Sequence, residues 1–544
     1  MSEPWHRLRL AAALLLSPTA AHAQESDPPN YPTEFSQPMP LYTKGLGTFT
    51  WKISTRSAES QAYFNQGIQL MYAFALDDAA RSFREAWQRD SACAMCYWGE
   101  ALAWGPYLNE GMGPADAPRA FRAISHAVAL ADPKQKREYA LIVAQQTRYQ
   151  PTQDSVIRKQ LDSTYARAMK GVAKKFPKDA EVGTLYAESL MLLEPRRGTW
   201  ELSKASVREI HQVLEHILAR DITHPGACHL YIHATESTTE PGKPQACAVH
   251  LGHAVPGASH LNHMPSHTYN RVGRWHDAVR ANLTAWHSDQ AALVHEGFAI
   301  YPSHNLHMLL YAASYGGEGA IADQAARDYA VVVRDTSTAG PSRGSFYQAL
   351  VLLRFGRFAE VLTVPGPTGN AIQRGLGIFA RGYAQLKLGH ADSAEAMLQQ
   401  VDSLATSTPD SIAFRGHTAR KLLGITGGIL RAELLQTRGA TDSAIAVLQQ
   451  AVALEDSLTY DEPEPLPFSA RHWLGAHLLE AGRPAEAEVV YRAELLDHPR
   501  NGWSLTGLAQ ALRALGRNTE ADVVERDLAS AWSNTDVWVR GSRE

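Results

Sequence analysis

The chain has little excess charge of either sign. Its 544 residues include 52 Lys and Arg against 56 Asp and Glu, which gives a formal net charge of −4. Acidic and basic residues are mixed along the chain, without long blocks of one sign. Because binding to phosphates needs a basic face, this balance argues against nucleic acid or an anionic membrane surface as a partner.

Long hydrophobic runs are also missing. A membrane-spanning helix needs about 20 consecutive apolar residues, and no stretch approaches that length. A shorter apolar run at residues 10–16 follows a basic stretch and precedes small residues that end in Ala21, His22 and Ala23. This order is typical of a cleavable export signal. We therefore predict a signal peptide over residues 1–23, no membrane span, and a periplasmic or secreted mature protein.

Cysteine is scarce, with four residues at Cys93, Cys96, Cys228 and Cys247. An oxidising compartment permits disulfides, but the spacing does not decide how they pair. Cys93 and Cys96 form a CxxC motif that suits a local disulfide, a metal-binding pair or a redox pair. Cys228 and Cys247 are expected on consecutive antiparallel helices, where a disulfide could join them.

Several common catalytic motifs are absent. The sequence contains no P-loop, no dinucleotide-binding fingerprint, no G-x-S-x-G elbow and no H-E-x-x-H. The sequence motifs therefore give no support for nucleotide-dependent chemistry or for the common hydrolase active sites.

The part of the chain beyond residue 50 consists of amphipathic helical segments joined by short turns. Residues 24–50 are rich in Pro and are predicted to be a linker. Near the C-terminus, Gly482 and Gly516 are 34 residues apart, as are Leu474 and Leu508. This is the period of a helix–turn–helix repeat whose apolar faces are buried by stacking. The prediction is an all-α helical-hairpin solenoid, with an N-terminal part over residues 51–335 and a C-terminal part over residues 336–535.

Histidine is concentrated in one region. Of the 23 histidines, 15 lie between His211 and His307. They recur three or four residues apart, so members of a group share one helix face. The groups also follow the repeat, because His229 and His263 are 34 residues apart and His233 and His267 are again 34 apart. The helices that carry them should therefore bring their imidazoles to one surface.

The chain resembles tetratricopeptide repeat proteins. It is similar in particular to an exported bacterial group of unclear activity, through HLYIH, HLNHMPSHTYNRVGRW and YPSHNLHML. The resemblance implies that these histidines face the concave groove of the solenoid. It also aligns Glu188 with His233 and makes Glu100 and Glu236 candidate carboxylates. The implied metal-ligand set is His229, His233, His260, His263, His267, His304, His307 and Glu188.

Clustered neutral imidazoles suit a transition metal such as Zn, Fe or Cu. The first hypothesis is therefore a metal-binding groove protein, with an enzyme of hydrolytic or oxidative type as one form of it. The second is an interaction scaffold without metal, which holds a peptide, protein or small-molecule ligand in the groove. A third is metal storage without turnover.

Overall fold

The computed structural model describes residues 30–195, 198–334, 342–366 and 368–543. The predicted signal peptide, residues 1–23, lies outside these described ranges. Helices pair in chain order as antiparallel hairpins, and successive hairpins stack on one another. The fold is thus the all-α, tetratricopeptide-type helical-hairpin solenoid that the repeats predict.

The helices of the first part are α1 (Ala58–Tyr72), α2 (Leu76–Arg89), α3 (Ala94–Ala103), α4 (Asp116–Leu130), α5 (Lys136–Gln146), α6 (Ser155–Lys175), α7 (Ala180–Met191), α8 (Ala205–Leu218), α9 (Pro225–Glu236), α10 (Gln245–Leu251), α11 (Ser259–His263), α12 (Pro265–Arg271), α13 (Trp275–Ala292), α14 (Pro302–Gly316) and α15 (Gly319–Val332). A short 3₁₀ helix, Thr33–Ser36, precedes them.

The second part contains α16 (Ser345–Arg354), α17 (Phe358–Val361), α18 (Ala371–Lys387), α19 (Ala391–Ser407), α20 (Ala419–Thr437), α21 (Thr441–Asp456), α22 (Ala470–Glu480), α23 (Pro484–Asp497), α24 (Gly502–Ala514) and α25 (Asn518–Ala531). Two short strands, β1 (Ala413–Phe414) and β2 (His417–Thr418), pair antiparallel between α19 and α20. Within the described ranges, no helix combines the length and apolar character needed to cross a bilayer.

The hairpin turns use glycine in the left-handed region. Gly273, Gly389, Gly439, Gly482 and Gly516 have φ between +69° and +89°. Each follows the end of the first helix of a pair, where the chain must reverse and a side chain would be strained. The glycines that mark the repeat in the sequence are therefore the turn residues of the hairpins.

The described part of the predicted linker is packed against the first hairpin. The backbone N–H of Met39 donates to Glu85 Oε1 at 2.8 Å, and that of Tyr42 donates to Gln66 Oε1 at 2.8 Å. The N–H of Gly47 donates to Gln69 Oε1 at 2.7 Å. Buried polar side chains of α1 and α2 thus accept hydrogen bonds from backbone N–H groups of a segment that has no regular backbone pairing of its own.

The C-terminal hairpins fold back onto the middle of the chain. Three indole N–H groups donate to distant carbonyls: Trp275 to Pro499 at 3.0 Å, Trp503 to Ser314 at 2.9 Å, and Trp532 to Tyr315 at 3.0 Å. Burying large aromatic rings with their N–H groups satisfied makes this contact strong. The closure holds the loop between α21 and α22 beside α9 and α12.

Substitution of Gly273 tests the contact between the C-terminal hairpins and the middle of the chain. A Cβ at this position would lie 2.2 Å from the carbonyl oxygen of Pro499, whereas one at Gly516, with the same φ of +73°, would meet nothing within 4 Å. Gly516→Ala is expected to cost only left-handed strain, about 1–2 kcal/mol. Gly273→Ala should cost more, because the backbones must also separate. Chemical denaturation measures both; equal losses would mean that the contact does not persist in solution.

Candidate metal centre

The predicted histidines lie on four helices that face a common interior. They are His229 and His233 on α9, His260 and His263 on α11, His267 on α12, and His304 and His307 on α14. All are buried except His304, which is partly exposed.

Pro265 breaks the helix that carries three of these residues, because proline cannot donate a backbone hydrogen bond. It is the first residue of α12, where no such donor is needed. The rings of His263 and His267 remain 4.8 Å apart across this junction. The break therefore keeps both imidazoles on the same side.

Six imidazoles form two adjacent groups of three. The first histidine set is His229, His233 and His260, and the second histidine set is His263, His267 and His304. Within each set, one ring nitrogen of every residue lies within 4.8 Å of the others. The sets touch, since the rings of His260 and His263 are 4.8 Å apart.

Oxygen acceptors fix the tautomer of three of these rings. His229 Nδ1 donates to the carbonyl oxygen of Tyr72 at 2.6 Å. His233 Nδ1 donates to Glu236 Oε1 at 2.8 Å, and His267 Nδ1 donates to the other oxygen of the same carboxylate. An Nδ1–H held by an oxygen leaves the Nε2 lone pair for a metal, which is the usual arrangement around metal-binding histidines.

Several ring nitrogens in the two sets have no protein partner. Nε2 of His229, His260 and His267 and Nδ1 of His263 are buried without a hydrogen bond to any described residue. Leaving a buried polar atom unpaired costs about 1–3 kcal/mol. His260 Nδ1 and His263 Nε2 share a hydrogen bond at 3.0 Å, so one of the two outer nitrogens of this neutral pair carries a proton. A transition-metal ion, which accepts lone pairs, would take the place of that proton and give the buried nitrogens a partner.

Burial keeps most of these imidazoles neutral. Desolvation, with the neighbouring histidines adding to it, lowers the pKa of His229, His260 and His263 well below the usual 6.5. A neutral imidazole is the form that binds a metal. At neutral pH these rings therefore carry no positive charge that would repel a metal ion.

His267 differs because of the carboxylates beside it. Burial disfavours its charge, but Glu236 and Glu462 outweigh burial and raise the pKa of His267 to about 10. Glu236 therefore stabilises positive charge on this ring. A metal ion on Nε2 would take the place of the second proton while Nδ1–H stays with Glu236.

Two strained aromatic residues pack on the sets. Phe74 and Tyr301 are non-glycine residues with φ of +60° and +57°. The Phe74 ring lies 4.2 Å from that of His229 and 5.3 Å from that of His260, and the Tyr301 ring lies 5.2 Å from that of His260. Such backbone strain costs on the order of 1–3 kcal/mol and collects at functional sites.

A cavity of about 330 Å³, the site cavity, adjoins both histidine sets. It is lined by Asn109, Glu110, His233, His260, Tyr301, His304, Arg415, Tyr460, Asp461 and Glu462. Ions held by the histidines would thus face a space that small molecules can enter.

His307 and Glu188 lie outside the two sets, contrary to the ligand set implied by the alignment. His307 is three residues after His304, and its ring packs 4.5 Å from that of Tyr347 on α16. Glu188 is buried on α7, where burial raises its pKa and Arg148 opposes the shift. Residues three positions apart are offset by about 60° around a helix, and at His307 this offset is enough to bring the ring against the neighbouring hairpin.

Residues in loops between other hairpins close the site, and the sequence does not identify them. The Tyr460 hydroxyl donates to Glu236 Oε2 at 3.2 Å, and Glu462 Oε2 lies 3.4 Å from His267 Nδ1. Arg415 reaches the site cavity from the β1–β2 turn. These residues lie in loops without periodic spacing, so no pattern in the sequence marks them.

Cys93–Cys96 and Cys228–Cys247 are both disulfide-bonded. The CxxC motif therefore forms a local disulfide, which leaves no free thiolate for the metal-binding alternative. Glu100 is occupied elsewhere, since it accepts a hydrogen bond from Trp87 Nε1 at 2.6 Å.

Comparison with known proteins gives only distant structural likenesses. No family model and no curated protein matches the sequence. The chain is similar to the human IFIT1 dimer with m7Gppp-AAAA at 10% identity and TM-score 0.29, covering 88% of this chain and 91% of that one. It is similar to the APC/C hetero-tetramer Cut9-Hcn1 at 13% identity and TM-score 0.28, covering 90% and 76%. For the P58(IPK) TPR domain the values are 12%, 0.22, 85% and 100%. At these TM-scores the likenesses carry no conclusion about function.

Proposed function

We propose that this protein binds two transition-metal ions, one at each histidine set, as a dinuclear centre. The observation that carries the proposal is the convergence of buried, unpaired ring nitrogens of His229, His260, His263 and His267. Oxygen acceptors hold the opposite nitrogens of His229 and His267, and the opposite nitrogens of His260 and His263 bond to each other. Three imidazoles for each ion leave a coordination position open, as in catalytic zinc sites.

A mixed nitrogen–oxygen site is the competing arrangement. His233, Glu236, His267 and Glu462 also place one donor each within 4.8 Å of one another. This group shares His233 with the first set and His267 with the second, so it cannot be filled together with them. It would use Nδ1 atoms that now donate to Glu236, and it would leave the buried Nε2 atoms unused. The two imidazole sets are therefore favoured.

All-imidazole donors favour zinc, copper or iron over magnesium, calcium or manganese. Zinc would supply a metal-bound water as the nucleophile of a hydrolysis, and copper or iron would supply oxidative chemistry. In either case the site cavity provides the space for a small-molecule substrate, and Tyr460 and Glu462 cover the ions from the C-terminal hairpins.

We also propose that the protein acts outside the cytoplasm. The export signal predicted over residues 1–23 is one support. The two disulfides are another, since such bonds persist in oxidising compartments.

A helical-hairpin scaffold that holds a ligand in its groove is the more general form of the proposed function.

Metal loading tests the proposal directly. The chain, stripped with chelator and incubated with zinc or copper(II), is expected to retain two ions per molecule after desalting, as measured by elemental analysis. Copper(II) ions in adjacent sets should give less paramagnetic resonance intensity than the total copper, because they couple. Retention of no ion would rule out the proposal, and retention of many ions would favour storage.

A further inference from the structure

Arg415 lies in the turn between the two short strands, β1 and β2, and reaches the site cavity from there. Among the described residues, β1 and β2 are the only strands, and they are joined by the two-residue turn Arg415-Gly416. Both residues have positive φ, +53° and +86°. Turns of this kind normally carry Asn, Asp or Gly first, and arginine is strained in this conformation.

The Arg415 side chain lines the site cavity and is held by hydrogen bonds. Its Nε donates to Asp461 Oδ2 at 2.5 Å, and its Nη2 donates to Asp461 Oδ1 at 2.9 Å and to the carbonyl oxygen of Glu462 at 2.7 Å. A fifth of the side chain stays exposed. The cavity therefore has a fixed cation in the same lining as His233, His260 and His304.

The size and lining of the site cavity define the kind of molecule that fits. A volume of about 330 Å³ corresponds to roughly eleven water molecules at about 30 Å³ each. Every lining residue carries a polar group, and none is aliphatic. The ligand is therefore small and polar rather than an extended peptide or a lipid chain.

Metal loading would reverse the charge of the cavity. Its lining contains the three carboxylates of Glu110, Asp461 and Glu462 against the one guanidinium of Arg415. Without metal the lining repels anions. Two divalent ions would outweigh these carboxylates and make the same space attractive to an anion.

We propose that the metal-loaded site cavity binds a small molecule with a carboxylate or phosphate group, held between the metal ions and Arg415. This inference rests on the proposed metal centre. An oxyanion would fill the open coordination position of a three-imidazole site. Arg415 would donate to the same group from Nη1, because its Nε and Nη2 already donate to Asp461 and Glu462.

The test uses zinc-loaded full-length chain titrated with inorganic phosphate and, separately, acetate in a calorimeter. Arg415→Gln is expected to weaken binding of the probe about tenfold or more. Arg431→Gln is the matched control, because it makes the same change in an arginine that pairs with Asp402 outside the lining of the site cavity. It should leave binding unchanged. The metal-free chain should bind neither probe.

The outcomes separate the two proposals. If the wild-type chain takes up no metal, the metal centre fails and this inference fails with it. If it takes up two ions but binds neither probe, or if both variants lose affinity equally, the metal centre stands and the role of Arg415 is overturned. If Arg415→Gln does not fold, Arg415→Lys keeps the charge and should weaken binding severalfold, because one ammonium cannot pair with both Asp461 oxygens and also reach the probe.

Discussion

Alanine at both His233 and His267 is expected to abolish tight binding of both metal ions. The double change removes one imidazole from each histidine set and leaves two nitrogens per ion, too few for a stable three-imidazole site. At free metal about 1,000 times the dissociation constant, each bound ion stabilises the fold by about 4 kcal/mol. The variant should therefore lose the metal-dependent rise in melting temperature as well as the ions.

The control is His250→Ala with His253→Ala, which removes the same number of histidines from exposed positions. Elemental analysis gives the ions retained, and calorimetry with and without chelator gives the metal-dependent stability. The chelator comparison is needed because the variant also leaves the buried Glu236 carboxylate without both imidazole partners. Two retained ions in the His233 and His267 variant would show that the histidine sets are not the binding site.

Removing the Cys228–Cys247 disulfide is expected to lower the free energy of unfolding by about 3 kcal/mol, since it closes a loop with a sequence separation of 19. Cys228 directly precedes His229 on α9, and Cys247 lies on the partner helix α10. The alanine double variant should therefore also weaken metal retention, because α9 loses its anchor. Chemical denaturation and competition with a chelator measure the two effects.

Cys93 and Cys96 provide the comparison. Their disulfide has a sequence separation of 3, so its removal should cost less, about 2 kcal/mol. It lies on α3, away from both histidine sets, and metal retention should be unchanged. Equal loss of metal in both disulfide variants would mean that general destabilisation, rather than the position of α9, controls the site.

The histidine sets could be largely predicted from the sequence because two local periods encode them. The spacing of four in HLYIH and HMPSH places two imidazoles on one helix face, and the repeat of 34 residues places successive pairs beside each other. Glu236 is a candidate carboxylate in the sequence, and the structure places it between His233 and His267. The assignment of His307 and Glu188 followed the alignment, which does not specify the rotation of each helix.

The helical hairpins, their turn glycines and the face on which the histidines lie depend on residues within a few turns of one another, so they can be predicted from the sequence. The enclosure of the site depends on contacts between distant parts of the fold. Tyr460 reaches Glu236 across 224 positions, and Arg415 arrives from a turn outside the helical pattern. Contacts between such distant loops depend on how the whole stack of hairpins curves and closes, and no local spacing encodes that.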